Sequence, residues 1–159
     1  MVELRYIKEI KAPQSIPYKE RLLFLAGSIE MGAAENWQDR VARELKNSEW
    51  TLLNPRRHDW DSSWVQSIKN EQFAEQVGWE LSGMESAEKI LMYFDPNTKS
   101  PITLLELGLN AREFGKLMVC CPDGFCRKGN VEMVCSRYKI PLATNLDRFI
   151  NELKDDGSF

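Results

Sequence analysis

The sequence predicts an α/β fold: a five-stranded parallel sheet with helices on both faces, in the flavodoxin-like or Rossmann-like three-layer arrangement. Three observations carry that expectation. Short apolar runs alternate along the chain with longer segments of helical period. The runs stop at turn-forming residues, as at Gly27-Ser28, Asn54-Pro55 and Asp95-Pro96-Asn97. Strands that alternate with helices pair in parallel through right-handed crossovers, which puts helices on both faces. At 159 residues, 43% hydrophobic and 28% charged, the chain has the size and composition of one domain able to bury a core without disulfides or metal. A single domain over 1–159 is expected, with 1–20 as an N-terminal extension in which Glu3 to Ile10 offers an added edge strand.

Leu22-Leu23-Phe24-Leu25-Ala26 reads as the first buried strand, feeding the turn at Gly27-Ser28. Ala34 to Lys46 follows as a helix, with Trp37, Val41 and Leu45 four apart on one face. Trp50 to Leu53 is the second strand, and Arg56 to Trp64 is too irregular for either period. Ser67 to about Ser82 carries Phe73, Val77 and Leu81 at helical spacing. Lys89 to Phe94 is the third strand. Ser100-Pro101 then reads as an N-cap and first helical residue of a helix that runs through Leu105 and Leu109 to about Phe114. Lys116 to Cys121 is the fourth strand, Gly129 to Tyr138 a helix, and Ile140 to Leu142 the fifth strand. A last helix opens at Asn145 or Asp147 and ends near Leu153.

Composition narrows the function classes. A net charge of −3 and a pI near 5.3 argue against a nucleic-acid partner, which favours a basic face. No run of about 18 apolar residues offers a membrane span. The opening MVELRYIKEIKAPQ lacks the apolar stretch of a secretory signal. Cys120, Cys121, Cys126 and Cys135 match no zinc spacing, and an adjacent pair on a strand does not converge on one metal. They read as buried free thiols of a reducing, cytoplasmic compartment. No cofactor signature is present, and no metal site is expected.

In a doubly wound sheet, ligands bind at the carboxyl ends of the strands. That rule selects the loops after Ala26, Leu53, Phe94 and Cys121, all rich in polar or glycine residues. Gly27 and Ser28 let backbone N–H groups approach a sugar, phosphate or carboxylate, although an ordinary strand-to-helix turn uses the same residues. Glu106 stands out within Ile102-Thr103-Leu104-Leu105-Glu106-Leu107-Gly108-Leu109, because a carboxylate among leucines is expensive to bury without a partner or a task. From spacing alone it equally fits the helix's solvent stripe. Gly108 weakens the helix and suggests a close approach. Between Asn54 and Asp61 lie Arg56, Arg57, His58, Asp59 and Trp60, a stacking aromatic among polar groups that suits a nucleobase and equally suits a surface loop.

Phe24-Leu25-Ala26-Gly27-Ser28-Ile29, the acidic Glu80 before the third strand, and Leu105-Glu106-Leu107-Gly108 together resemble nucleoside 2-deoxyribosyltransferases, closest to the branch described as nucleoside 2-deoxyribosyltransferase-like. The likeness extends from about Arg21 to Leu146. It implies that Glu106 is a nucleophile that attacks the anomeric carbon and holds a covalent deoxyribosyl intermediate. It also implies that Glu80 contacts the base, and that Asn130 completes a neighbouring subunit's site in a homo-oligomer. Glu80 or Asp59 would handle the proton of the departing base. A second base as acceptor gives transfer, and water gives hydrolysis.

Several positions depart from the family pattern. Phe24 stands where a tyrosine hydroxyl would lie beside the nucleophile. Ser28 and Ser100 look like the related monophosphate N-hydrolases, in which a serine at the latter position meets phosphate. Glu30, however, occupies the place of a phosphate-binding arginine, a role left to Arg56, Arg57 or Arg127. The sequence therefore leaves three readings open: a transferase on 2-deoxynucleosides, an N-hydrolase on nucleosides or nucleotides, and a non-catalytic nucleotide-binding module.

Overall fold

Strand β2 (Leu22–Gly27) sets the frame, because its side chains bury on both faces. Leu22, Phe24 and Ala26 enter one core, while Leu23 and Leu25 enter the other. This is the pattern of a central strand in a parallel sheet covered on two sides. The computed structural model describes residues 9–18, 21–29, 36–57 and 63–156. In chain order the elements are β1 (Glu9–Lys11), β2, α1 (Trp37–Glu44), β3 (Thr51–Asn54), α2 (Glu71–Ser86), β4 (Lys89–Tyr93), α3 (Pro101–Asn110), β5 (Leu117–Cys120), α4 (Lys128–Tyr138), β6 (Leu142–Ala143) and α5 (Asp147–Asp156).

All pairings are parallel, in the order β1-β3-β2-β4-β5-β6. The sheet thus has six strands rather than the expected five. The extra one is β1, which pairs Glu9 to Lys11 with Leu52 to Asn54 at the edge. Its three residues coincide only with the end of the proposed Glu3–Ile10 strand, whose first part lies outside the described residues. It carries no apolar run, and one short edge pairing sustains it. Trp37, Val41 and Leu45 of the α1 region join Phe149, Ile150 and Leu153 of α5 over one face. Trp79 and Met84 of α2, Leu107 of α3, and Val131 and Cys135 of α4 cover the other. The result is the expected three-layer sandwich.

Beyond β1, the order reverses between β2 and β4. The chain leaves β2 toward β3 on one side and returns to β4 on the other, so the loops after β2 and β4 diverge to opposite layers. The crevice between them is the topological switch point, where such sheets bind ligands. Gly27 is required here: a Cβ on it would collide with the Tyr93 carbonyl oxygen and come within 2.9 Å of the Trp37 ring, and its φ is +154°. The close approach that selects glycine is therefore the protein's own packing.

Candidate functional site

Two loops meet at the switch point through hydroxyls. The Ser28 N–H donates to the Tyr93 carbonyl at 3.0 Å, and the Asp95 N–H donates back to Ser28 Oγ at 2.9 Å. Thr98 Oγ1 lies 3.1 Å from Ser28 Oγ and 2.6 Å from Ser100 Oγ, and donates to the Asp95 carbonyl at 2.9 Å. Ser28 and Ser100 are also directly hydrogen-bonded. All three hydroxyl residues and Asp95 are buried. Ser100 occupies the N-cap position, as its place before Pro101 predicts, but its hydroxyl caps nothing. It is turned to the other two hydroxyls from a left-handed backbone with φ of 45°, an uncommon conformation for serine. Local capping has been given up to tie α3 to β2.

One turn into α3, Glu106 is 8% exposed. No hydrogen bond from the described residues reaches its carboxylate, although the Asn110 amide donates to its backbone carbonyl at 2.9 Å. Burial, and then the charge of Glu80, push its pKa from 4.5 up to about 8. Glu80, on α2, is partly buried; burial raises its pKa, and a hydrogen bond from Gln76 opposes the rise. The Gln76 amide donates to Glu80 Oε1 at 3.0 Å and to the Pro55 carbonyl at 3.0 Å. Its own oxygen accepts from Arg57 at 3.2 Å. The neighbouring Arg56 reaches the other layer, where it donates to Gln38 of α1 at 3.2 Å. Two carboxyls from two helices thus lie near enough for the charge of Glu80 to disfavour ionisation of Glu106.

The sequence-predicted residues fall into groups. Ser28 and Ser100 are in contact, and Gly27 precedes them at the end of β2. Glu80 sits close enough for its charge to act on Glu106. Asn130 is exposed in the first turn of α4 and bonds to none of these groups. Asp59 and Glu30 lie outside the described residues. Phe24 is fully buried against Trp79, with ring centroids 6.0 Å apart, and a Cβ on Gly83 would come within 2.7 Å of its ring. Gly108 has nothing within 4 Å of where a Cβ would stand, so the expected close approach is not made among the described residues.

Sequence reasoning missed Thr98 and Gln76. The available signal for Gln76 was its place one helical turn before Glu80. Cys120, Cys121 and Cys135 are buried free thiols, pushed by burial up to about 12, 11 and 12, while Cys126 is exposed against expectation. The three buried thiols are not nucleophiles at neutral pH. Among the described residues no cluster of His, Cys, Asp or Glu is arranged to hold a metal, and no helix is long and apolar enough to cross a membrane. A separate cleft of about 380 Å³ at the ends of β5 and β6, bordered by Lys128, Glu132, Thr144, Asn145 and Arg148, contains none of the candidate residues.

The family model described as nucleoside 2-deoxyribosyltransferase like matches residues 20–125, which include Ser28, Glu80, Ser100 and Glu106 and end before Asn130. No curated protein matches the chain.

Proposed function

We propose, starting from a chain that belongs to the nucleoside 2-deoxyribosyltransferase-like family, that it breaks the N-glycosidic bond of a 2-deoxynucleoside through Glu106 and passes the sugar to a second base. The observation that supports this reading best is the burial of Glu106, on the helix whose N-cap Ser100 meets Ser28 at the switch point, with no hydrogen-bond partner among the described residues. A carboxyl left so exposed to desolvation is costly for folding, and a developing cationic anomeric carbon supplies the charge it lacks. As the C1–N bond breaks, its electron pair goes to the base nitrogen, which is protonated by way of Glu80. A Glu106 oxygen forms the bond to C1, and the second base displaces it.

A hydrolytic reading on 5′-monophosphates draws support from Ser28, Thr98 and Ser100, which gather three hydroxyls at the N-terminus of α3, an end that favours anions. These hydroxyls bond one another, so a phosphate would have to displace internal bonds. The nucleoside reading needs no such exchange. We further propose a cytoplasmic homo-oligomer whose neighbouring subunit supplies Asn130. The outward apolar side chains of Ile102, Leu105 and Leu109 on α3 support a subunit contact next to the site.

Mass spectrometry of the intact protein after incubation with a panel of 2-deoxynucleosides tests the proposal. A covalent deoxyribosyl adduct is expected on the native protein and not on Glu106→Gln. Product analysis with and without acceptor base separates transfer from hydrolysis. No adduct and no turnover with any nucleoside or nucleotide would leave a binding module.

A further inference from the structure

The orientation of one amide bears on where the proton of the carboxyl pair resides. Gln76 is buried and bonded at both ends of its side chain. Arg57 only donates, so the end facing it must be the amide oxygen. The other end faces the Pro55 carbonyl and Glu80 Oε1, two acceptors that require the NH2 group. A flipped amide would place oxygen against both acceptors and nitrogen against a cation, so the network fixes the orientation. Glu80 therefore receives an N–H bond that favours its anion, backed through Gln76 by Arg57. Glu106 receives none from the described residues.

Resting on the glycosidic reading above, we infer that Gln76 is a positioning residue: its amide holds the partly buried Glu80 as an anion, so the proton retained in this corner rests on the more deeply buried Glu106 until substrate binds. Among the described residues, the charged groups of this corner are Glu80 from α2, Glu106 from α3 and Arg57 from the loop after β3, with Arg56 bonded to Gln38 on the other layer. Two like charges near one another do not both ionise cheaply, and the more deeply buried acid, which receives no donor from the described residues, keeps the proton. Burial and the Glu80 charge raise Glu106 in agreement with that assignment. On cleavage the Glu106 proton ends on the base nitrogen, which takes the C1–N electron pair. The Glu106 oxygen left with the charge bonds to C1. The nucleophile is thus masked in the empty site, and the masking proton is the one the leaving base needs.

The test is a carboxyl ¹³C NMR titration of the full chain, with resonances assigned by Glu80→Gln and Glu106→Gln. In the native protein Glu80 should titrate at lower pH than Glu106; the opposite order overturns the inference without any Gln76 variant. In Gln76→Leu the two midpoints should converge or exchange, and kcat/KM at pH 7 should fall roughly tenfold with a displaced pH profile, the size of one hydrogen bond to a charged group. An unchanged order and profile in a folded Gln76→Leu also overturns it. If that variant does not fold, Gln76→Asn, which withdraws the amide from Glu80, gives the same readout. The titration uses no substrate. The expected order without a Glu106 adduct would sink only the glycosidic reading, whereas an adduct with an order insensitive to Gln76 would sink only the role of Gln76.

Discussion

Helices α3 and α5 are both ten residues long and both lie against the sheet, yet they bury opposite kinds of side chain. α5 turns Phe149, Ile150 and Leu153 into the core and leaves Arg148, Asn151, Glu152 and Asp155 outside. α3 buries Thr103, Glu106 and Asn110 beside Leu107 and leaves Ile102, Leu105 and Leu109 about 59%, 58% and 58% exposed. α5 only fills a core, so its apolar period and its buried face coincide. α3 lines the switch point, so polar groups face inward and leucines are left for some other cover. A helix that turns polar groups inward and leucines outward is where a site is to be sought.

The largest effect expected from this contrast is chemical. Glu106→Gln should lower turnover roughly a thousandfold or more, about 4 kcal/mol of barrier, while ligand binding measured by calorimetry stays largely intact. Glu152→Gln, at an exposed position on α5, should leave turnover unchanged. Equal activity in Glu106→Gln would reduce α3 to an oddly turned structural helix.

Next comes packing. Phe149→Ala should cost about 3–5 kcal/mol in urea unfolding, since it empties a fully buried site. Leu105→Ala, on the outward face of α3, should change the stability of an isolated subunit by no more than about 0.5 kcal/mol. A Leu105→Ala cost as large as that of Phe149→Ala would mean that the face is covered in the working assembly.

A smaller effect concerns pH. The Glu106 carboxyl holds its proton to about 8 when folded and to about 4.5 otherwise. The folded state therefore binds the extra proton between those values, and stability from this group falls as pH rises from about 4.5 to about 8, then levels off. Glu106→Gln should flatten that decline and be the more stable protein at pH 8.5, by about 4–5 kcal/mol at most, with the gap nearly closed at pH 5. Urea midpoints at the two pH values measure it, and a native protein equally stable at both would contradict the assigned burial cost.

The mildest effect on the fold should come from Leu105→Lys with Leu109→Lys. Thermal unfolding should move little, while sedimentation should show loss of the proposed homo-oligomer. Unaltered assembly would assign the subunit contact to another face.

The layers of this fold were legible because β2 to β5 are apolar runs closed by turn residues, and their boundaries fall within a residue or so of the structure. β1 was legible only in part: an edge strand was expected over Glu3 to Ile10, and among the described residues it forms over Glu9–Lys11, since three residues at an edge carry no period. The buried face of α2 was misread for the reason that governs α3. Phe73, Val77 and Leu81 follow the helical spacing, but Gln76, Trp79, Gly83 and Met84 are the residues turned inward, and Leu81 is exposed. Periodicity counts apolar side chains and has no way to see that a glutamine is buried by three hydrogen bonds. Ser28, Ser100, Glu80 and Glu106 could be picked out one by one, whereas the knot joining the two serines through Thr98 depends on strand order, which no local pattern contains.

The adjacent arginines after β3 have a mechanical consequence. Arg56 grips α1 through Gln38, and Arg57 grips α2 through Gln76, one on each side of the sheet. Successive residues of an extended segment point opposite ways, so two neighbours suffice to span both layers. The loop works as a yoke, joining the two layers through neighbouring side chains. Gln38 in one layer and Gln76, with Glu80 beyond it, in the other are thus held from one short piece of chain.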